Sequence, residues 1–95
     1  MPYRGVGAVV RVVSGTRYSI ENDGIIDITT NVNGVPVVYK EARLVGLNHM
    51  GDCVRVNMPR DEKGKGGGPT EIPINLITKI ADSPGKNKYP SVKKV

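Results

Sequence analysis

The stretch GDCVRVNMPRDEKGKGGGPTEIPINLITKI, residues 51–80, decides how this chain folds. Over residues 52–58 two sets alternate, Val54, Val56 and Met58 against Cys53, Arg55 and Asn57, with the period of a half-buried strand and either set facing inward. Residues 59–70 are a glycine-rich excursion, expected to be mobile because three consecutive glycines between a lysine and a proline leave the backbone almost unrestricted. Residues 71–81 then supply Ile72, Ile74, Leu76, Ile77 and Ile80, and Pro73 opens a stretch that suits a single 3₁₀ turn over residues 73–76. Strand, tight turn and closing strand are what a small barrel needs where its last strand returns to its first.

Toward the N-terminus, two turns set the register. Asn33-Gly34 lies between apolar runs, and both residues tolerate the positive φ of a type I′ turn, so residues 25–32 and 35–42 are predicted to form a hairpin with a two-residue loop. That loop pairs Val32 with Val35, Thr30 with Val37 and Ile28 with Tyr39 on one face, and Asp27 with Lys40 and Asn31 with Pro36 on the other. At Asn22-Asp23-Gly24 a three-residue loop with Gly24 left-handed is predicted, because it sets Ile20 opposite Ile26 and Tyr18 opposite Ile28, whereas a two-residue loop would set Ile20 opposite Asp27. The shared inner face is then Tyr18, Ile20, Ile26, Ile28, Val32, Val35, Val37 and Tyr39, with Thr30 and Glu41 as its imperfect members. Pro36 has no donor for a ladder, so its backbone must face an edge or a bulge. Residues 42–47 continue the strand around a bend, with Gly46 and Gly51 bracketing the connection to the next one.

Residues 1–4 are a lead-in, and GVGAVVRVV at residues 5–13 is apolar on both faces, which fits a strand that is covered twice or bent around a barrel. Phe and Trp are absent and Tyr occurs four times, so the core is aliphatic and β-branched. The fold class is therefore all-β: a small antiparallel barrel of five to six strands in one domain, residues 1–82. Residues 83–95 carry two prolines and four lysines with no hydrophobic periodicity, and are expected to form a disordered basic tail.

The closing stretch also carries a resemblance. Thr70-Glu71-Ile72-Pro73-Ile74-Asn75-Leu76-Ile77 resembles the end of a Src-homology-3-like barrel, where a strand, an Ile-Pro-x-Asn turn and a last short strand close the sheet. Gly51-Asp52-x-Val54 is similar to the Gly-Asp-x-hydrophobic opening of an earlier strand in such barrels. The resemblance covers about a third of the chain and implies a fold, not an activity. Peptide-binding members grip proline-rich ligands with Trp and clustered Tyr. This chain has no Trp and no second Tyr near Leu76, so that function does not carry over.

The chemistry-bearing residues are sparse. Cys53 is the single cysteine, so no intramolecular disulfide forms and a reducing, cytoplasmic location is expected. The N-terminus lacks the pattern of a signal peptide, and no apolar run reaches the ~20 residues of a membrane helix. His49 and Cys53 offer one ligand each where structural zinc uses four, so no metal is expected. Strand alternation gives no reason for His49 to activate Cys53 as a nucleophile. Lys63-Gly64-Lys65-Gly66-Gly67-Gly68 is not a nucleotide-binding loop, because Pro69 and a strand follow it where a helix N-terminus is required. The acids Glu21, Asp27 and Glu41 fall at strand edges or opposite basic groups, where cross-strand pairing explains them. No catalytic constellation, cofactor or small-molecule substrate is expected, and the chain reads as non-enzymatic.

Charge points to a partner. The formal net charge is +5 and the isoelectric point about 9.6, with four of those positive charges on residues 83–95. The first expectation is nucleic-acid binding through Arg55, Arg60, Lys63 and Lys65 of the barrel and its loop, joined by Lys86, Lys88, Lys93 and Lys94, with Tyr89 stacking on an exposed base. Arg4, Arg11, Arg17 and Arg43 are further candidates for a basic patch. The alternative is a structural module that forms a homo-oligomer or a subunit of a larger particle, since small barrels leave strand edges that need covering.

Overall fold

The computed structural model describes residues 5–95, and their strands follow the sequence alternation closely. The elements in chain order are β1 (Val6–Arg11), β2 (Arg17–Glu21), β3 (Ile25–Val32), β4 (Val35–Leu47), β5 (Cys53–Met58), β6 (Gly68–Pro73), a 3₁₀ turn (Ile74–Leu76), β7 (Ile77–Asp82) and β8 (Val92–Lys94). The class is all-β, as predicted, but among the described residues eight strands form two antiparallel sheets where five or six in one barrel were expected. One sheet has the order β1-β2-β8 and the other β6-β5-β4-β3-β7. Their inner faces share one aliphatic core, in which Ile20, Ile26, Ile28, Leu44, Ile72, Ile77, Val54 and Val56 are sealed from solvent. Val54 and Val56 are therefore the inward set of β5.

The Asn33-Gly34 hairpin forms with the expected register. Asn33 and Gly34 take φ of 52° and 82°, and Val32 pairs with Val35, Thr30 with Val37 and Ile28 with Tyr39. Past Tyr39 the register slips, so that Ile26 faces Ala42 and the expected Asp27–Lys40 pair is not made. Glu41 bulges out at φ 57° and Asp27 Oδ1 accepts its backbone N–H at 3.0 Å. The bulge moves the inward positions of β4 from odd to even numbers, so Ala42 and Leu44 enter the core while Glu41 stays in water.

Val32, Val35 and Val37 are corrected from inner-face residues to half-exposed ones, at 38%, 59% and 38% of their surface. β7 begins opposite Thr30 and β5 meets β4 only from Arg43 onward, so the hairpin tip projects past everything that could cover it. Along residues 35–40 β4 is an edge. The residues flanking a two-residue loop are a hydrogen-bonded pair, so Pro36, Val38 and Lys40 turn their backbones to the free side, as Pro36 requires.

The second predicted hairpin does not exist. β2 pairs with β1 and β8, and β3 with β4 and β7, so Asn22-Asp23-Gly24 turns a corner between sheets. Asp23, at φ 61°, is its left-handed residue in place of Gly24. Leu44 bridges the corner, its carbonyl accepting from Asp23 N–H and its N–H donating to Gly24 O. Tyr18, Ile20, Ile26 and Ile28 still face one interior, because two packed sheets impose the same in-out alternation as one ladder. In β1, Ala8 and Val10 are buried whereas Val6 and Val9 are exposed, so that strand is covered on one side only.

Residues 83–95, expected to be a disordered tail, are held against both sheets in the structure. Asp82 Oδ1 accepts from Ser91 N–H at 2.6 Å and from Asn87 Nδ2 at 2.9 Å, and Oδ2 accepts from Val92 N–H at 3.3 Å. Asn87 also bonds both backbone groups of Ile25, at 2.9 and 2.7 Å, standing in for a strand. Ser91 is buried against Gly24, where any Cβ would lie 2.7 Å from the Ser91 Cβ. β8 then adds to β2 with Ser19 opposite Lys93 and Tyr18 opposite Lys94. The excursion after β5 is also shorter than expected, because Gly68 and Pro69 already belong to β6.

Candidate nucleic-acid interface

Strand register places the cations of the smaller sheet. Arg11 of β1 lies directly opposite Arg17 of β2, Val9 opposite Ser19, and Ser19 opposite Lys93 of β8. Ser19 alternates with the buried Tyr18 and Ile20, so Arg17, Ser19 and Glu21 share the outer face, joined by Val9, Arg11 and Lys93. Directly opposed side chains on one face stand about 5 Å apart at Cβ, and like charges there repel. Neither arginine has an ion-pair partner among the described residues; the ion pairs there include Arg55–Glu71 at 3.5 Å and Lys86–Glu41 at 3.6 Å. Among the described residues Glu21 is the one acid on this face, at the far end of β2 from Arg17.

Two further cations lie on the other side of β8 from this face. Lys94 and Lys79 line a groove along the seam where β8 meets β7, together with Tyr18, Thr78 and Ile80. Asp82 lies in the same seam, but its carboxylate oxygens are engaged by Asn87, Ser91 and Val92. On the other flank, Lys93 lines a groove with Val6, Ser19, Tyr89 and Pro90.

The residues predicted from sequence do not converge on one site. Arg55 projects from the outer face of β5 and is met by Glu71 across the ladder. Arg60 donates to Gly64 O at 3.4 Å inside the β5–β6 loop. In that loop Asp61 Oδ1 accepts the N–H groups of Lys63 and Lys65, at 3.0 and 2.7 Å, so an acid organises the turn that carries the two lysines. Lys86 sits with Arg43 near the base of this loop, beside Glu41. Lys88 reaches over the Tyr89 ring, 5.8 Å from its centroid. Lys93 and Lys94, adjacent in sequence, point to opposite sides of β8 and so serve different grooves.

Arg11 and Arg17, expected only as further candidates for a basic patch, form the centre of the candidate face, and Lys79 is not among the residues expected from sequence. Lys79 gains its place from the return of β8 to the β7 seam, a contact that no reading of residues 83–95 as a tail could show. Arg4 lies outside the described residues. Around Cys53, Asn48 Oδ1 accepts the N–H groups of Asp52 and Cys53 and fixes the β4–β5 turn. Partial burial, then the carboxylates of Asp52 and Glu71, push the Cys53 thiol above its ordinary pKa. Among the described residues no three His, Cys, Asp or Glu side chains gather as metal ligands, and no helix is long and apolar enough to cross a membrane.

No protein-family model, no curated protein and no solved structure matches this chain.

Proposed function

We propose that the protein is a small non-enzymatic module that binds nucleic acid through the outer face of its three-stranded sheet. The observation that carries this reading is the direct opposition of Arg11 and Arg17, with Lys93 diagonal to Arg17 on the same face. A fold that only had to be stable would gain by placing an acid at one of these positions, whereas a polyphosphate supplies the missing counter-charge itself. The order β6-β5-β4-β3-β7 supports a Src-homology-3-like reading of the larger sheet: a four-strand meander, a 3₁₀ turn, then a last strand returning to the first. The basic face lies on strands added outside that unit.

Titration of fluorescently labelled DNA and RNA against salt tests the function. Three phosphate contacts on a single strand, from Arg11, Arg17 and Lys93, give a slope of log affinity against log salt of about −2. The double variant Arg11→Glu, Arg17→Glu should abolish binding while leaving the thermal melt intact. Absence of binding to any DNA or RNA at about 50 mM salt, or binding indifferent to salt, overturns the reading.

A second reading, assembly into a homo-oligomer or a larger particle, is favoured by the projecting hairpin tip with Val32, Val35 and Val37 half in water. Light scattering that finds only monomer from micromolar to millimolar concentration would remove self-association from it.

A further inference from the structure

The groove beside the basic face narrows the class of nucleic acid, an assignment that rests on nucleic-acid binding at that face. Val6, Ser19, Glu21, Tyr89, Pro90 and Lys93 border a groove of about 340 Å³ with Ser91 also at its wall. Its apolar surface comes from Val6, Tyr89 and Pro90. Tyr89 exposes 51% of its surface, more than any other described tyrosine. An aromatic ring on a loose tail would stack on anything or nothing, but this one is mounted between two anchors. Two residues before it, Asn87 is fixed to Ile25 and Asp82. Two residues after it, the Ser91 backbone is held by Asp82 and its side chain is buried against Gly24. Pro90 restricts the backbone between Tyr89 and the second anchor.

The cationic row begins at the rim of this groove. Lys93 belongs to both, and Arg17 stands two residues along β2 from Ser19, about 7 Å away, on the same face. A half-exposed aromatic wall on an anchored backbone, next to cations that make no ion pair among the described residues, matches a base attached to its phosphates. In a duplex the faces of the bases are stacked on one another and out of reach. We propose that the groove takes one unpaired base of a single-stranded nucleic acid, stacked on Tyr89, while Arg11, Arg17 and Lys93 hold the phosphates beside it.

Anisotropy titrations with labelled ten-nucleotide oligothymidine and oligouridine, and with a duplex of equal length, test this in the full chain at about 50 mM salt. The single strands should bind at least fivefold more tightly than the duplex. Tyr89→Ala should weaken single-strand binding by roughly five- to a hundredfold, the range that follows from losing one stacked base, and leave the salt slope unchanged. Tyr89→Phe should stay within about twofold of the parent, since the ring carries the contact. Arg17→Ala should instead lower the slope by about 0.7. Thermal melts of the Tyr89 variants should match the parent, because the ring is not part of the core. Salt-dependent binding that is equal for duplex and single strand, or unmoved by Tyr89→Ala, overturns the groove assignment and leaves the basic face standing. An acidic peptide that displaces the oligonucleotide at equal concentration overturns it too. Failure to bind any nucleic acid removes both.

Discussion

Replacing Asp82 with alanine asks whether residues 83–95 belong to the fold. The carboxylate accepts from Ser91 N–H at 2.6 Å, Asn87 Nδ2 at 2.9 Å and Val92 N–H at 3.3 Å. Hydrogen bonds to a charged group contribute about 1.5–3 kcal/mol each, and those that share one side chain do not add in full. Counting the two short bonds at the lower figure gives about 3 kcal/mol, part of it the cost of leaving the backbone N–H of buried Ser91 without an acceptor. At about 4–8 °C per kcal/mol for a domain of this size, the melting temperature should fall by roughly 12–24 °C. Asp82→Asn keeps one acceptor oxygen and should lose less than half as much. Circular-dichroism melts measure the fall, and brief trypsin treatment reports on β8 directly, because Lys86, Lys88, Lys93 and Lys94 become cleavable once it detaches. Deleting residues 83–95 should cost more than Asp82→Ala, since it also strips a partner strand from β2. A melting temperature within about 2 °C of the parent for Asp82→Ala, with the last residues trimmed by trypsin at no cost to the fold, would show that the segment is an appendage and refute the reasoning.

Two further perturbations probe the junction of the sheets and the cysteine. A Cβ added at Gly7 would lie 2.8 Å from Leu44 Cδ2 and 3.0 Å from Asn22 Cα, so Gly7→Ala should destabilise by about 1–3 kcal/mol in urea titration; a gain in stability would mean that β1 and β4 are not packed as described. Because the Cys53 thiol is pushed above its ordinary pKa, less of it is thiolate at a given pH, so alkylation by iodoacetamide at pH 8 should be slower than that of glutathione and climb as pH rises. Asp52→Asn should speed it, and a parent rate above that of glutathione would contradict the assigned environment.

The parts of the fold legible in the sequence are those whose cause is local. Asn33-Gly34 dictates its hairpin because both residues accept positive φ, and the alternation in residues 53–58 names the buried side of β5 once a core exists. Illegible parts depend on groups far apart in the chain. Asn22-Asp23-Gly24 satisfies a hairpin loop and a corner equally well as a string of turn formers, and only Leu44, reaching it from β4, makes it a corner. Glu41 looks like a flaw in an apolar stripe, whereas it marks the bulge that lets one long strand serve the core twice. The last residues have a tail's composition, yet three short-range cues lie in or beside them: Asn87, Ser91 and the acid Asp82 just before them, which together form a clasp in place of hydrophobic periodicity. Reading that clasp as disorder sends the charge count to a floating arm, and with it the expected site.

At the proposed interface the opposed arginines would set stability against binding. Directly facing like charges cost an antiparallel pair a few tenths of a kcal/mol up to about 1 kcal/mol, screened by salt. Arg11→Ala should therefore leave the free protein as stable as the parent or slightly more so, while its affinity for an oligonucleotide falls and its salt slope flattens by about 0.7. An anion that binds the folded face but not the unfolded chain also raises the apparent melting temperature, and by more in the parent than in Arg11→Ala. The sign of that difference separates a binding face from a solvated one. Charges that serve only solubility have no reason to stand opposite one another, and removing one would change stability without any oligonucleotide sensing it. If Arg11→Ala lowered stability and left affinity untouched, the arginines would be supporting the sheet through their alkyl stems, and the three-stranded face would lose its claim to the ligand.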